Sequence, residues 1–165
     1  MSDIVIRQAE DPVGIEAARR LFRDYQAATD VEACFQSFEA ELAGLPGAYV
    51  PPQGRLLIAW RDGEALGIVA LKTVEPGEAG ICEIKRLWVE PAARGLGLGR
   101  ALAEAVIHAA EGAGCGRLVL ETSPVTMARA AALYRALGFE DSGPYPGATG
   151  VEGIACMVRA LKRAA

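Results

Sequence analysis

The succession of apolar patterns along the chain predicts an α+β domain, in which a mixed, largely antiparallel sheet of six to seven strands is flanked by about four helices. Three observations carry that expectation. Strand-like segments follow one another in the middle of the chain with only tight turns between them. Helical periodicities lie on either side of that meander. A glycine-rich segment, RGLGLGRAL over 94–102, follows the third of these strands and runs without a break into a helix.

Ile4 to Arg7 is a short β-branched run that ends at AEDP, where Asp11 followed by Pro12 reads as an N-cap with proline in the first turn. In the helix that follows, Ala18, Leu21, Phe22 and Tyr25 fall on one apolar stripe. A short helix is expected around Phe35 to Ala43, and the prolines and glycines of LPGAYVPPQG then break any regular pattern. RLLIAW, the Asp62-Gly63 pair and EALGIVALKTV form a hairpin, because Asp-Gly tolerates the positive φ of a tight turn. ICEIKRLWV over 81–89 is the third strand of the meander. Beyond the glycines Leu98, Leu102, Ala105, Val106 and Ala109 recur at helical spacing until GAGCG stops the helix. RLVLE over 117–121 is a buried strand. A further helix starts near Met127, with Ala130, Leu133, Tyr134 and Leu137 on one stripe and Gly138 as its left-handed C-terminal residue. Two last strands, from Phe139 and from Gly153 to Leu161, flank PYPGATG.

Bulk properties narrow the function. The 165 residues fit one domain spanning 1–165, with 52% hydrophobic and 23% charged residues, as in a globular protein. The net charge of −4, with acids and bases interspersed, leaves no broad basic surface for nucleic acid. The N-terminus carries acids and no long apolar run, so neither a signal peptide nor a membrane span is expected and the expected location is cytoplasmic. Cys34, Cys82, Cys115 and Cys156 form no CxxC pair, so they are expected as reduced, mostly buried thiols without a metal. His108, the only histidine, sits mid-helix and reads as a surface or packing residue.

What the glycines hold is the central question. Glycine lets backbone N–H groups approach a ligand closely, and the amides of a helix start carry the positive end of the macrodipole, which suits phosphate. One reading is a dinucleotide site, with Glu121 about 20 residues on as a ribose ligand. Against it, Arg100 occupies the sixth position of that fingerprint, EPAAR separates strand from glycines, and too few residues follow Glu121 to complete a doubly wound sheet.

The other reading is a resemblance. Arg94-x-x-Gly97-x-Gly99 behind CEIKRLWV resembles the pyrophosphate loop of the GNAT-type N-acetyltransferases, and ALYRALGF over 132–139 resembles that superfamily's helix ending in Leu-Tyr-x-x-x-Gly-Phe. The two stand in the family's order and separation. The resemblance implies a GNAT fold and acetyl-CoA as acyl donor, held by Arg94, Gly95, Leu96, Gly97, Leu98, Gly99 and Arg100 at the pyrophosphate and by Leu87, Trp88 and Val89 along the pantetheine arm. It implies Tyr134 as the group that protonates the leaving thiolate and Glu83 as the general base. For Glu83 the residues themselves leave a second reading open, half of a cross-strand ion pair. Met127 departs from the pattern, standing where many members carry an asparagine that bonds the cofactor.

Acceptor sites in such folds come from the first helices and late strands, which points to Phe35, Phe38, Tyr49 and Tyr145 as substrate residues. The same aromatics read equally as packing that tucks loops onto the core. No acidic cluster announces a polycation, so the expected acceptor is a small amine or amino-acid-like metabolite, with a protein amine second. C-terminal edge strands that pair between subunits in this family imply a homodimer. A competing class is an acyl-CoA-binding sensor without turnover.

Overall fold

The computed structural model describes residues 3–29, 37–75 and 80–162. Strand β1 (Val5–Gln8) leads into helix α1 (Pro12–Ala28), and the Asp11 carboxylate accepts from Gly14 N–H at 2.7 Å, a cap worth about 1 kcal/mol. Helix α2 (Phe38–Ala43) is followed by the hairpin β2 (Arg55–Arg61) and β3 (Glu64–Glu75). Its turn residues Asp62 and Gly63 have φ of 52° and 77°, so both central positions are left-handed as a type I′ turn requires. Strand β4 (Ile81–Val89) passes through a single 3-10 turn, Pro91–Ala93, to α3 (Leu98–Gly112). The chain closes with β5 (Arg117–Thr122), α4 (Ala128–Ala136), β6 (Glu140–Ser142) and β7 (Ala155–Ala160).

The seven strands form one sheet in the order β1-β2-β3-β4-β5-β7-β6. Neighbours are antiparallel except β4 and β5, which run parallel. Both faces are covered, which is why β2 and β3 are nearly continuous apolar runs rather than alternating ones. On one face α3 sets Leu98, Leu102 and Val106 against Leu57, Val69 and Leu118. On the other, Leu21 and Phe22 of α1 with Phe38 and Leu42 of α2 cover Leu56, Ile58 and Ile68. Gly67 marks a close approach of α3 to the sheet, since a Cβ there would lie 2.9 Å from Leu102 Cδ1. Truncating Leu102, which is fully buried, to alanine carries a cost of about 2–5 kcal/mol.

The parallel pair positions the site. It holds only over Ile81–Glu83 against Arg117–Val119; beyond that β4 stays with β3, β5 stays with β7, and the two diverge. A bulge accompanies the divergence. Between Ala70↔Lys85 and Ile68↔Trp88 the register with β3 slips by one residue, and Arg86 there has φ of 62°, rarely adopted by a residue with a side chain.

The expected reduced state of all four cysteines is corrected at two of them. Cys82 and Cys115 are joined by a disulfide, their Cα atoms 6.1 Å apart. The parallel pairing brings the start of β4 beside the turn that precedes β5, a juxtaposition invisible in a 33-residue sequence separation. Cys156 is a free thiol, and Cys34 lies outside the described residues. Among the described residues no helix is long and apolar enough to cross a membrane, and no group of three or more potential ligands gathers for a metal.

Candidate active site

The glycine segment forms one wall of a cleft of about 720 Å³. Gly95 and Gly97 have φ of 88° and 78°, and a Cβ at either would meet nothing within 4 Å, so the backbone there faces open space. Gly97 caps α3 without a side-chain acceptor, which leaves the first-turn N–H groups available to an anion. Arg94 is held at this end by donating from Nε to Val89 O at 3.2 Å and by lying 4.9 Å over the Trp88 ring. Leu87, Trp88 and Val89 continue the wall along β4, past the point where β5 has left it. The opposite wall is the start of α4, with Met127, Arg129 and Leu133. The Met127 thioether accepts from the Tyr25 hydroxyl at 3.7 Å, which links α1 to α4 across the cleft.

At the inner end, where the strands part, lies a second cavity of about 80 Å³. Tyr25, Thr29, Leu87, Met127 and Ala130 line both spaces, so the two adjoin. Glu83 and Tyr134 both line the inner one. Tyr134 is buried on α4 with its ring edge-on to Phe139 at 5.5 Å. Burial, with the nearby Tyr25, pushes its hydroxyl above the ordinary phenol range, so it carries its proton at neutral pH. Glu83 is buried at 6% exposure. Its Oε2 accepts from the Tyr145 hydroxyl at 2.5 Å and its Oε1 stands 3.8 Å from the Lys72 ammonium. The cross-strand ion pair and the cavity position are thus properties of the same carboxylate. Burial and the Glu83 charge push the Tyr145 hydroxyl upward.

The family model described as the acetyltransferase (GNAT) family matches residues 15–139. The chain belongs to this family. It is 37% identical over 146 residues to an uncharacterised N-acetyltransferase of Schizosaccharomyces pombe, with 87% of each chain covered. The fold matches a GNAT-family acetyltransferase of Staphylococcus aureus at a TM-score of 0.79 and 17% identity, covering 97% of this chain and all of that one. It also matches N-acetylglutamate synthase of Neisseria gonorrhoeae, solved with coenzyme A and N-acetyl-glutamate, at 0.69 and 23% identity; this covers 99% of the present chain and 36% of that one.

Within this GNAT chain the sequence-expected residues divide. Gly95, Gly97, Leu98, Gly99, Arg94 and the three β4 residues line the cleft, whereas Leu96 is 47% exposed and the Arg100 guanidinium turns along α3 to Glu104 at 2.8 Å, so neither side chain lines it. Among the expected acceptor residues that are described, only Tyr145 reaches the site, through Glu83. Phe38 and Tyr49 are corrected to core: both are buried and pack on Phe22, each with ring centroids 6.4 Å apart. The apolar face of a short helix and a ring in a proline-rich loop gain more by joining α1 than by facing solvent. Phe35 lies outside the described residues. The dinucleotide alternative fails on topology, since the strands after the glycine helix are not doubly wound. Glu121 is moreover engaged by Thr149, whose Oγ1 donates at 2.7 Å.

Four polar groups of the GNAT site escaped sequence reasoning. Arg86 is 7% exposed and donates from Nε to Glu41 Oε2 at 3.1 Å and from its terminal nitrogen to Oε1 at 3.0 Å, fixing α2 to the bulge. Lys85 and Thr122 line the inner cavity, and Thr122 Oγ1 is buried without a hydrogen-bond partner among the described residues. Arg129 adds a cation to the outer cleft. The available signal was KR in the interior of a largely apolar strand, where charge needs a reason.

Proposed function

We propose that this chain transfers an acetyl group from acetyl-CoA to the primary amine of a small acceptor. The observation that carries the reading is the parting of β4 from β5, which opens the β4 edge into a cleft with glycine-loop amides at one end and Glu83 with Tyr134 at the other. The residues present fit acetyl-CoA: uncapped helix amides and Arg94 suit its pyrophosphate, and an unpaired strand edge suits its amide-bearing arm. Bound there, acetyl-CoA supplies the acetyl group as an activated thioester.

The chain's own groups divide the remaining work. Glu83 accepts a proton from the acceptor ammonium, directly or across one water, which frees the nitrogen lone pair. The nitrogen bonds to the carbonyl carbon as the carbon–sulfur bond breaks, and an N–H of the β4 edge donates to the carbonyl oxygen as charge grows on it. Tyr134, kept protonated by burial, hands its proton to the departing sulfur, and the second proton of the attacking nitrogen, released as the amide forms, passes by way of water to restore the tyrosine.

Thermal melts with acetyl-CoA and, in parallel, with NAD test the donor. At a hundred times its Kd a ligand adds about 2.7 kcal/mol, or roughly 5–10 °C for a domain of this size. A shift with acetyl-CoA alone, followed by thiol release with an amine panel, is expected. A shift without turnover of any amine would identify an acyl-CoA sensor instead, and a shift with NAD alone would sink the reading.

A further inference from the structure

The face of the sheet that α1 and α2 cover over β1 to β4 becomes polar where the strands part. Cys82 and Ile84 point into the α3 side of the core, so alternation sends Glu83 and Lys85 to the opposite face. Lys72 stands opposite Glu83 on β3, and Glu121 continues this face on β5, two residues beyond Val119, the partner of Glu83. Two lysines and two glutamates therefore meet at the inner cavity, which Glu83, Lys85 and Glu121 line directly. Three of the four are engaged: Lys72 with Glu83, Glu83 also with Tyr145, and Glu121 with Thr149.

Lys85 is the exception. Among the described residues its ammonium makes no hydrogen bond or ion pair, while the neighbouring Arg86 is satisfied by Glu41. Burial first, then the Arg86 charge, lowers its pKa, so an anion at this position restores what desolvation withdraws. Lys85 lines the inner cavity and is absent from the walls of the outer cleft, so the pyrophosphate end lies elsewhere. The Thr122 hydroxyl, without a partner among the described residues, lines the same cavity and supplies a second unused hydrogen-bonding group.

Resting on the acetyl-transfer reading, the geometry points to an acceptor that is a zwitterion: its ammonium lies at Glu83 and its carboxylate at Lys85, with Thr122 available to the carboxylate. Same-face residues two apart on a strand are about 6.6 Å apart, so the two charges reach one small molecule whose amine and carboxylate are separated by a few bonds. A free amino acid has this form, whereas an amine without a carboxylate leaves Lys85 unpaired.

The test uses α-amino acids alongside their α-amides, assayed with the full chain for thiol release from acetyl-CoA and, by calorimetry with coenzyme A present, for binding. The acid of the best pair is expected to be preferred over its amide by about 10- to 100-fold, the value of one charge-assisted hydrogen bond. In Lys85→Met this ratio falls towards one through KM, and Lys85→Arg restores part of it. Equal use of acid and amide by the wild type, or a preference that survives Lys85→Met, overturns the inference while leaving acetyl transfer intact. Binding of the acid that depends on Lys85 but yields no product upholds the subsite and overturns the transfer reading. Failure of both acids and amides to bind overturns the inference, and a melt of each variant reports that it is folded.

Discussion

The Tyr145 hydroxyl donates to Glu83 Oε2 at 2.5 Å, tying the loop between β6 and β7 to the middle of β4 across 62 positions of sequence. The contact lets this loop orient the carboxylate proposed as base. Glu83→Gln keeps an acceptor for Tyr145 but removes the charge, and is expected to lower kcat/KM about 100-fold with acetyl-CoA binding unchanged. Tyr145→Phe removes only the positioning bond, with an expected loss of roughly 3- to 10-fold. Steady-state kinetics beside calorimetry for acetyl-CoA reads both, and wild-type turnover in Glu83→Gln would leave Glu83 only its ion pair with Lys72.

Tyr134→Phe separates chemistry from packing, because the ring contact with Phe139 survives loss of the hydroxyl. A fall in kcat of about 10- to 100-fold is expected, smaller for acyl donors whose thiol has a low pKa and needs no proton to leave. The comparison of donors decides it. An equal deficit with both would remove Tyr134 from the proton-transfer role.

Arg86 and Glu41 form a bidentate pair with the guanidinium 5.0 Å over the Phe38 ring. Removing one partner leaves a poorly solvated charge, so Arg86→Met is expected to destabilise the fold by about 3 kcal/mol in urea unfolding. Arg86→Met with Glu41→Leu should recover part of that loss, since no orphaned carboxylate remains. Additive losses would mean that the pair contributes no coupling.

Glu90, where β4 ends, titrates abnormally: burial, then hydrogen bonding and charge from Asp24, raise its pKa from 4.5 to about 7. A carboxyl with a raised folded-state pKa binds more protons folded than unfolded between those values, so stability falls as pH rises from about 5 to 7. Glu90→Gln should flatten that slope and raise stability at pH 8 by on the order of 1–2 kcal/mol, less than 1.36 kcal/mol per unit implies because the side chain retains 19% exposure. Melts at pH 5 and 8 measure it, and an unchanged slope would place the titration elsewhere.

Much of the site was legible because its signals are local. The RGLGLG segment announces backbone approach through residues that alone tolerate φ near 80°, and the structure places Gly95 and Gly97 there. Glu83, a charge inside a largely apolar strand, is read as base through the family resemblance, with a cross-strand ion pair as its second reading; the structure supplies that pair with Lys72 and sets the same carboxylate at the inner cavity. Lys85 carried the same signal and was missed, because only the bulge at Arg86 distinguishes the lysine left without a partner from the arginine that finds Glu41.

By itself the sequence determined the elements and their order: Asp11 and Pro12 opening α1, Asp62-Gly63 closing the hairpin, and Gly138 past α4 at φ 91°. These are preferences of a few adjacent dihedrals and hydrogen bonds, so they are written locally. Only the tertiary structure decided where β4 and β5 part, that Cys82 meets Cys115, and that Phe38 and Tyr49 pack inward while Tyr145 reaches Glu83. Each of those outcomes depends on a partner brought from far along the chain, and such pairings follow from burying the whole core together rather than from any one segment's pattern.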